Sequence, residues 1–95
     1  MSQKAKYNNV ISVLGQDRTG IIAGITRVLA ECGVNISDIS QTILQDMFTM
    51  IMLVDTTDMT VGYDDLKTRL QAVGADLQVT VTVQHKDIFN AMQRI

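Results

Sequence analysis

Along its 95 residues the chain switches repeatedly between two spacings of apolar side chains. Asn9 to Leu14 (NVISVL) is short, β-branched and apolar and stops at Gly15, which predicts a strand. Beyond Gly20 the period lengthens. Ile21, Ile22, Ile25, Val28, Leu29 and Cys32 fall on one face of a helix, and Gly33 follows as the residue that ends it. Val34 to Leu44 (VNISDISQTIL) predicts a second strand in which Val34 and Ile36 share one parity and Ile39, Gln41 and Ile43 the other, so a bulge is expected near Asp38. Gln45-Asp46 predicts a tight turn, Met47 to Val54 a third strand, and residues 55–62 a loop. Tyr63, Leu66, Leu70 and Val73 predict a second helix with Asp64 and Asp65 in its first turn and Gly74 at its end. Leu77, Val79, Val81 and Val83 then alternate with polar residues, the pattern of a strand with one buried and one wet face. The last segment, DIFNAMQRI, predicts a short helix with Ile88, Phe89 and Met92 on its apolar side.

The order βαββαβ, with similar sequences closing its two halves, predicts an α+β, ferredoxin-like sandwich: a four-stranded antiparallel sheet with two helices on one face. The expected organisation is one domain over residues 1–95, with a core over 7–84 and a tail over 85–95. The third strand is central in this topology, yet it is apolar at both parities, with Met47, Ile51 and Leu53 on one and Phe48, Met50, Met52 and Val54 on the other. The face away from the helices therefore needs a cover. A partner subunit or the C-terminal tail is expected to supply it.

Bulk composition narrows the function. Apolar residues make up 46% and charged residues 19%, a globular balance. A formal charge of −2 and a pI near 5.0 argue against nucleic acid or an anionic membrane as a main partner. Cys32 is the only cysteine, which excludes an internal disulfide and CxxC redox or zinc frameworks. The polar start, MSQKAKYNN, lacks an apolar signal core, and no apolar run reaches the ~18 residues of a membrane span. A cytoplasmic protein is expected.

The stretch LGQDRTGII joins the first strand to the first helix and holds the most suggestive chemistry. Gly15-x4-Gly20 has the glycine spacing of a Walker A loop, but Ile21 and Ile22 stand where that loop needs Lys and Ser or Thr. The dinucleotide pattern GxGxxG is absent. An acylphosphatase-like site could recruit Arg18 and Asn35, although LGQDRTG does not match such a loop. A metal chaperone would need two cysteines in this loop, and an RNA-binding sheet would need aromatic platforms. Cys32 lies on the apolar helix stripe and reads as a core thiol; His85 stands alone and reads as a surface or interface residue. No metal or cofactor is expected. Binding remains. A helix N-terminus attracts a carboxylate, Asp17 can accept from an ammonium group, and Asn35 offers a donor and an acceptor. Such a set suits an amino acid. The alternative use of the same residues is local: Asp17 and Thr19 cap the helix, Arg18 is solvated, and Asn35 fills a turn.

The segments Asp17-Arg18-Thr19-Gly20-Ile21 and Gly33-Val34-Asn35-Ile36, in that order and at that spacing, resemble the signature half of an ACT domain. More narrowly, the chain is similar to small free-standing bacterial ACT proteins and to the ACT modules of the glycine-cleavage repressor and formyltetrahydrofolate deformylase. The resemblance implies a non-enzymatic regulatory protein that binds an amino acid or similar metabolite and forms a homodimer or higher oligomer. By position Asp17, Gly20 and Asn35 match the family's ligand-site residues, and Gly15 departs from them. The loop chemistry and the resemblance together give the ligand-binding set Gly15, Gln16, Asp17, Arg18, Gly20, Ile21 and Asn35. The resemblance also implies a sheet-face or edge partner burying Phe48, Met50, Met52 and Val54. The ligand would lie between the first loop of one protomer and the second strand of its neighbour. The alternative is a ligand-free regulatory subunit that docks on a metabolic enzyme.

Overall fold

The computed structural model describes residues 6–93 and the side chains of residues 6–91. Strand β1 (Asn9–Gln16), helix α1 (Ile21–Glu31), strands β2 (Asn35–Leu44) and β3 (Met47–Asp55), helix α2 (Tyr63–Leu77), strand β4 (Val79–His85) and helix α3 (Lys86–Gln93) follow in chain order. The four strands form one antiparallel sheet in the order β2-β3-β1-β4, so β1 and β3 are central and β2 and β4 are edges. This is the expected α+β, ferredoxin-like sandwich.

The apolar stripes define a single core. Ile21, Ile25, Leu29 and Cys32 of the first helical segment meet Leu66 and Leu70 of α2 over Ile11, Val13, Phe48, Met50, Met52, Val54, Val79, Val81 and Val83 of the sheet. The predicted alternation of β4 holds, with its valines buried and Thr80 and Thr82 exposed. The expected bulge falls between Ile36 and Asp38 and reconciles the two parities of β2. Gln45 and Asp46, both with positive φ (53° and 48°), form the two-residue turn of the β2–β3 hairpin.

Three expectations change. Helix α2 does not stop at Gly74 but runs to Leu77, with Gln78 in the left-handed conformation as its cap. Gly74 is instead a contact residue, since a Cβ there would stand 2.8 Å from Val81 Cγ2 and 3.0 Å from the Val79 carbonyl. The glycine lets α2 settle directly onto β4. Second, Phe48, Met50, Met52 and Val54 lie on the helix side and are buried within the protomer, so a partner is not needed to cover them. The residues left on the open face are Met47, Thr49, Ile51 and Leu53. Third, α3 packs against β4 and β1, but Ile88 on its expected apolar side is 56% exposed. Phe89 is half-buried, and the Met92 side chain lies outside the described residues.

Candidate functional site

Strand β1 runs further than its apolar run suggests, so Gly15 and Gln16 are strand residues rather than loop residues. Gly15 is paired on both sides, with Phe48 and Val79. A Cβ at Gly15 would meet Val79 Cγ1 at 2.7 Å and Val79 Cα at 2.9 Å. Its lack of a side chain therefore serves the contact with β4 rather than the approach of a ligand. Gly20 differs. Its φ is +94° and nothing lies within 4 Å of the position a Cβ would take, so glycine is needed there for backbone conformation alone.

Gly20 is also the N-cap of α1. No side chain caps this end and no acid lies in the first turn. The local reading, in which Asp17 and Thr19 cap the helix, is therefore not what the chain does. The first amides of a helix have no intrahelical partner, and the helix dipole adds positive potential there. They open onto a cleft of 230 Å³ lined by Asp17, Arg18, Gly20, Ile21, Ile22, Ala23, Gln41, Ile43 and Phe48. The floor is apolar, one wall carries an anion-seeking helix end, and Asp17 supplies a carboxylate.

The loop is tethered at both flanks. The Asp17 N–H donates to the Asp46 carbonyl at 2.7 Å, joining it to the β2–β3 turn. Arg18 Nη2 donates to Gln78 Oε1 at the α2–β4 corner. Gln16 lines a separate hollow of 440 Å³ with Leu44, Gln45, Asp46 and Met47. Asn35 is exposed and pairs with Asp55, at the end of the sheet opposite the cleft. Nine residue steps of β2 separate it from Leu44 beside the loop, about 30 Å at the ordinary rise of a strand. One protomer therefore brings together Asp17, Arg18, Gly20 and Ile21 but not Asn35. Arg18, at the cleft, and Asn35, at the opposite end of the sheet, are the pair an acyl-phosphate site would need in one cleft. Gln41 and Ile43 also line the cleft, which the loop's own residue types do not indicate. Their shared parity with Ile39 puts them on the helix side of β2, but only the pairing with Met50 and Phe48 brings them to the loop.

Cys32 is fully buried, as its helix position predicts. His85 is exposed at the end of β4, beside Asp87. Among the described residues no group of three His, Cys, Asp or Glu side chains could hold a metal ion, and no helix is long and apolar enough to cross a membrane.

The chain is thus a ferredoxin-like sandwich with a small cleft between its first loop and its second strand. The ACT domain family model matches residues 9–84, and the chain belongs to that family. The family is a regulatory one whose members bind small molecules, often amino acids, and often oligomerise. A UPF0237 protein of Methanocaldococcus jannaschii is 57% identical over 86 residues, covering 90% of this chain and 96% of the relative. The solved ACT domain protein from Streptococcus pneumoniae is 39% identical with a TM-score of 0.74, covering 86% of this chain and 92% of that one. A structure assigned to a glycine cleavage system transcriptional repressor is 25% identical with a TM-score of 0.65, covering 83% of this chain and 45% of that one. A formyltetrahydrofolate deformylase shares the fold.

Proposed function

We propose that the protein is a cytoplasmic, non-enzymatic ACT module that senses an amino acid as a homodimer. The observation that carries this reading is the uncapped N-terminus of α1 at Gly20, facing the same small cleft as the Asp17 carboxylate. The amides at Gly20 and Ile21 take the ligand carboxylate, and Asp17 takes its ammonium group. The apolar side chain of the ligand rests on Ile43 and Phe48.

Asn35 joins from a second copy. β2 is an edge strand with exposed Ile39 and Ile43. Antiparallel pairing of two β2 edges about a twofold axis between Ile39 and Ser40 sets Asn35 of the partner subunit opposite Leu44, next in sequence to Ile43 of the cleft. A ligand gripped by both protomers links binding to assembly.

The test is a thermal-shift screen of the protein against the twenty amino acids at two protein concentrations. The expected result is stabilisation by one amino acid or a related few, larger at the higher concentration, and lost in the D17A/N35A double variant without loss of fold. Equal stabilisation of the double variant overturns the site. A second reading, a ligand-free subunit that docks on a metabolic enzyme, draws on the exposed Leu14, Leu44 and Met47 of the open sheet face. No response to any amino acid, together with a stable enzyme partner on purification, favours it.

A further inference from the structure

Among the described residues, three that are not glycine hold a positive φ: Gln45, Asp46 and Gln78. Left-handed backbone strains any residue that carries a Cβ, and such strain persists only where its surroundings impose it. Asp46 and Gln78 have one thing in common. Asp46 gives its carbonyl to the Asp17 N–H, and Gln78 gives Oε1 to Arg18 Nη2. Both tethers of the β1–α1 loop therefore end on a strained residue.

The two tethers differ in kind. At Asp46 the acceptor is a backbone carbonyl, which any residue supplies. At Gln78 it is a side chain. Gln78 closes α2 with φ 61° and ψ 40°, the place at a helix end where glycine is the unstrained choice. Glycine there would keep the cap, whose bond runs from the backbone N–H to the Ala75 carbonyl at 3.2 Å. It would lose the acceptor for Arg18, 60 residues away in sequence.

The α2–β4 corner reaches the loop because Gly15 has no side chain. A Cβ at Gly15 would stand 2.9 Å from Val79 Cα, so its absence lets the corner close on the end of β1, and Gln78 is the next residue of that corner. Arg18 has five N–H donors in one plane. A bond to Gln78 uses one of them and fixes the plane, while Arg18 still lines the cleft.

We propose that Gln78 is a positioning residue for the β1–α1 loop. Its side chain holds Arg18, and through it residues 17–20, in the geometry of the cleft, and its left-handed backbone is retained for that bond. This role deepens the reading of the cleft as a ligand site and rests on it for its consequence. A loop that is set beforehand does not have to be ordered when a ligand arrives.

The test compares the ¹⁵N-labelled full chain with Q78G and Q78E, first without ligand and then against the twenty amino acids by thermal shift. Q78G removes the acceptor and the backbone strain together, so it is expected to unfold at the same or a higher urea concentration. It is also expected to free the Arg18 guanidinium, seen as averaging of its Nη signals, and to lower the order parameters of residues 17–20. Q78E keeps an acceptor and is expected to hold both near the wild type. In the thermal-shift panel Q78G should need several-fold more of a stabilising amino acid, and Q78E should not. A merely structural residue would move the urea midpoint and leave the Arg18 signals alone. Wild-type Arg18 signals and loop order in Q78G, or an undiminished response of Q78G to the panel, would overturn the proposal. If the wild type answers to no amino acid, the ligand reading fails, and the Arg18 signals and loop order of Q78G still decide the role of Gln78.

Discussion

Asp55, the last residue of β3, accepts at one carboxylate oxygen from both the hydroxyl and the N–H of Thr57, the latter at 3.0 Å. These bonds favour the ionised form, the hydroxyl most, and hold the carboxyl below its ordinary range. A depressed folded-state value stabilises the fold above the unfolded pKa, and this contribution is lost as pH falls through the folded one. A carboxyl titration by NMR should place Asp55 below an ordinary aspartate, and T57V should move it part of the way back. Gly20 makes a different test. Alanine there meets no atom but must hold a φ near +94°, so G20A should lower stability to urea by about 1–2 kcal/mol through backbone strain alone. The sequence shows Gly15 and Gly20 as a matched pair framing a loop. They are not matched, because a glycine required by a neighbouring strand and one required by its own dihedral angle are the same letter.

Most elements were legible because each has one dominant period. The valines of β4, the stripe of α1 and the parity change in β2 all follow from local spacing, and even the bulge at Ile36/Asp38 could be anticipated. What was not legible depended on other elements. Gly74 reads as a terminator locally and becomes a packing residue only when β4 lies under it. G74A should therefore destabilise the domain by about 1–3 kcal/mol in chemical denaturation. The added Cβ meets the Val79 backbone carbonyl at 3.0 Å, and alanine's better helix propensity, worth about 1 kcal/mol, offsets part of the cost. In β3 both parities are apolar, so no period says which face the helices take. The pairing of β3 with β1 and the helix positions decide it in favour of Phe48, Met50, Met52 and Val54.

For the whole molecule, the loop chemistry of Asp17 to Ile21 could be read from residue types, whereas the reach of Asn35 could not. Its neighbour in sequence is the end of α1, but its place in the sheet is set by the β2–β3 register, at the far end from the cleft. Assembly through the β2 edge would resolve this, and it makes a clear prediction. I39K, on an exposed position of that edge, should shift sedimentation toward the monomer while leaving the circular dichroism of the fold unchanged. The bond from the Asp17 N–H to the Asp46 carbonyl carries a further implication. It makes the cleft's loop and the tip of the β2–β3 hairpin a single mechanical part, like a latch and its spring. If a ligand holds the loop as proposed, this bond is the direct backbone link by which it would act on the hairpin tip. A path from the proposed ligand to the proposed β2 interface would then run along the hairpin rather than through α1, α2 or the core.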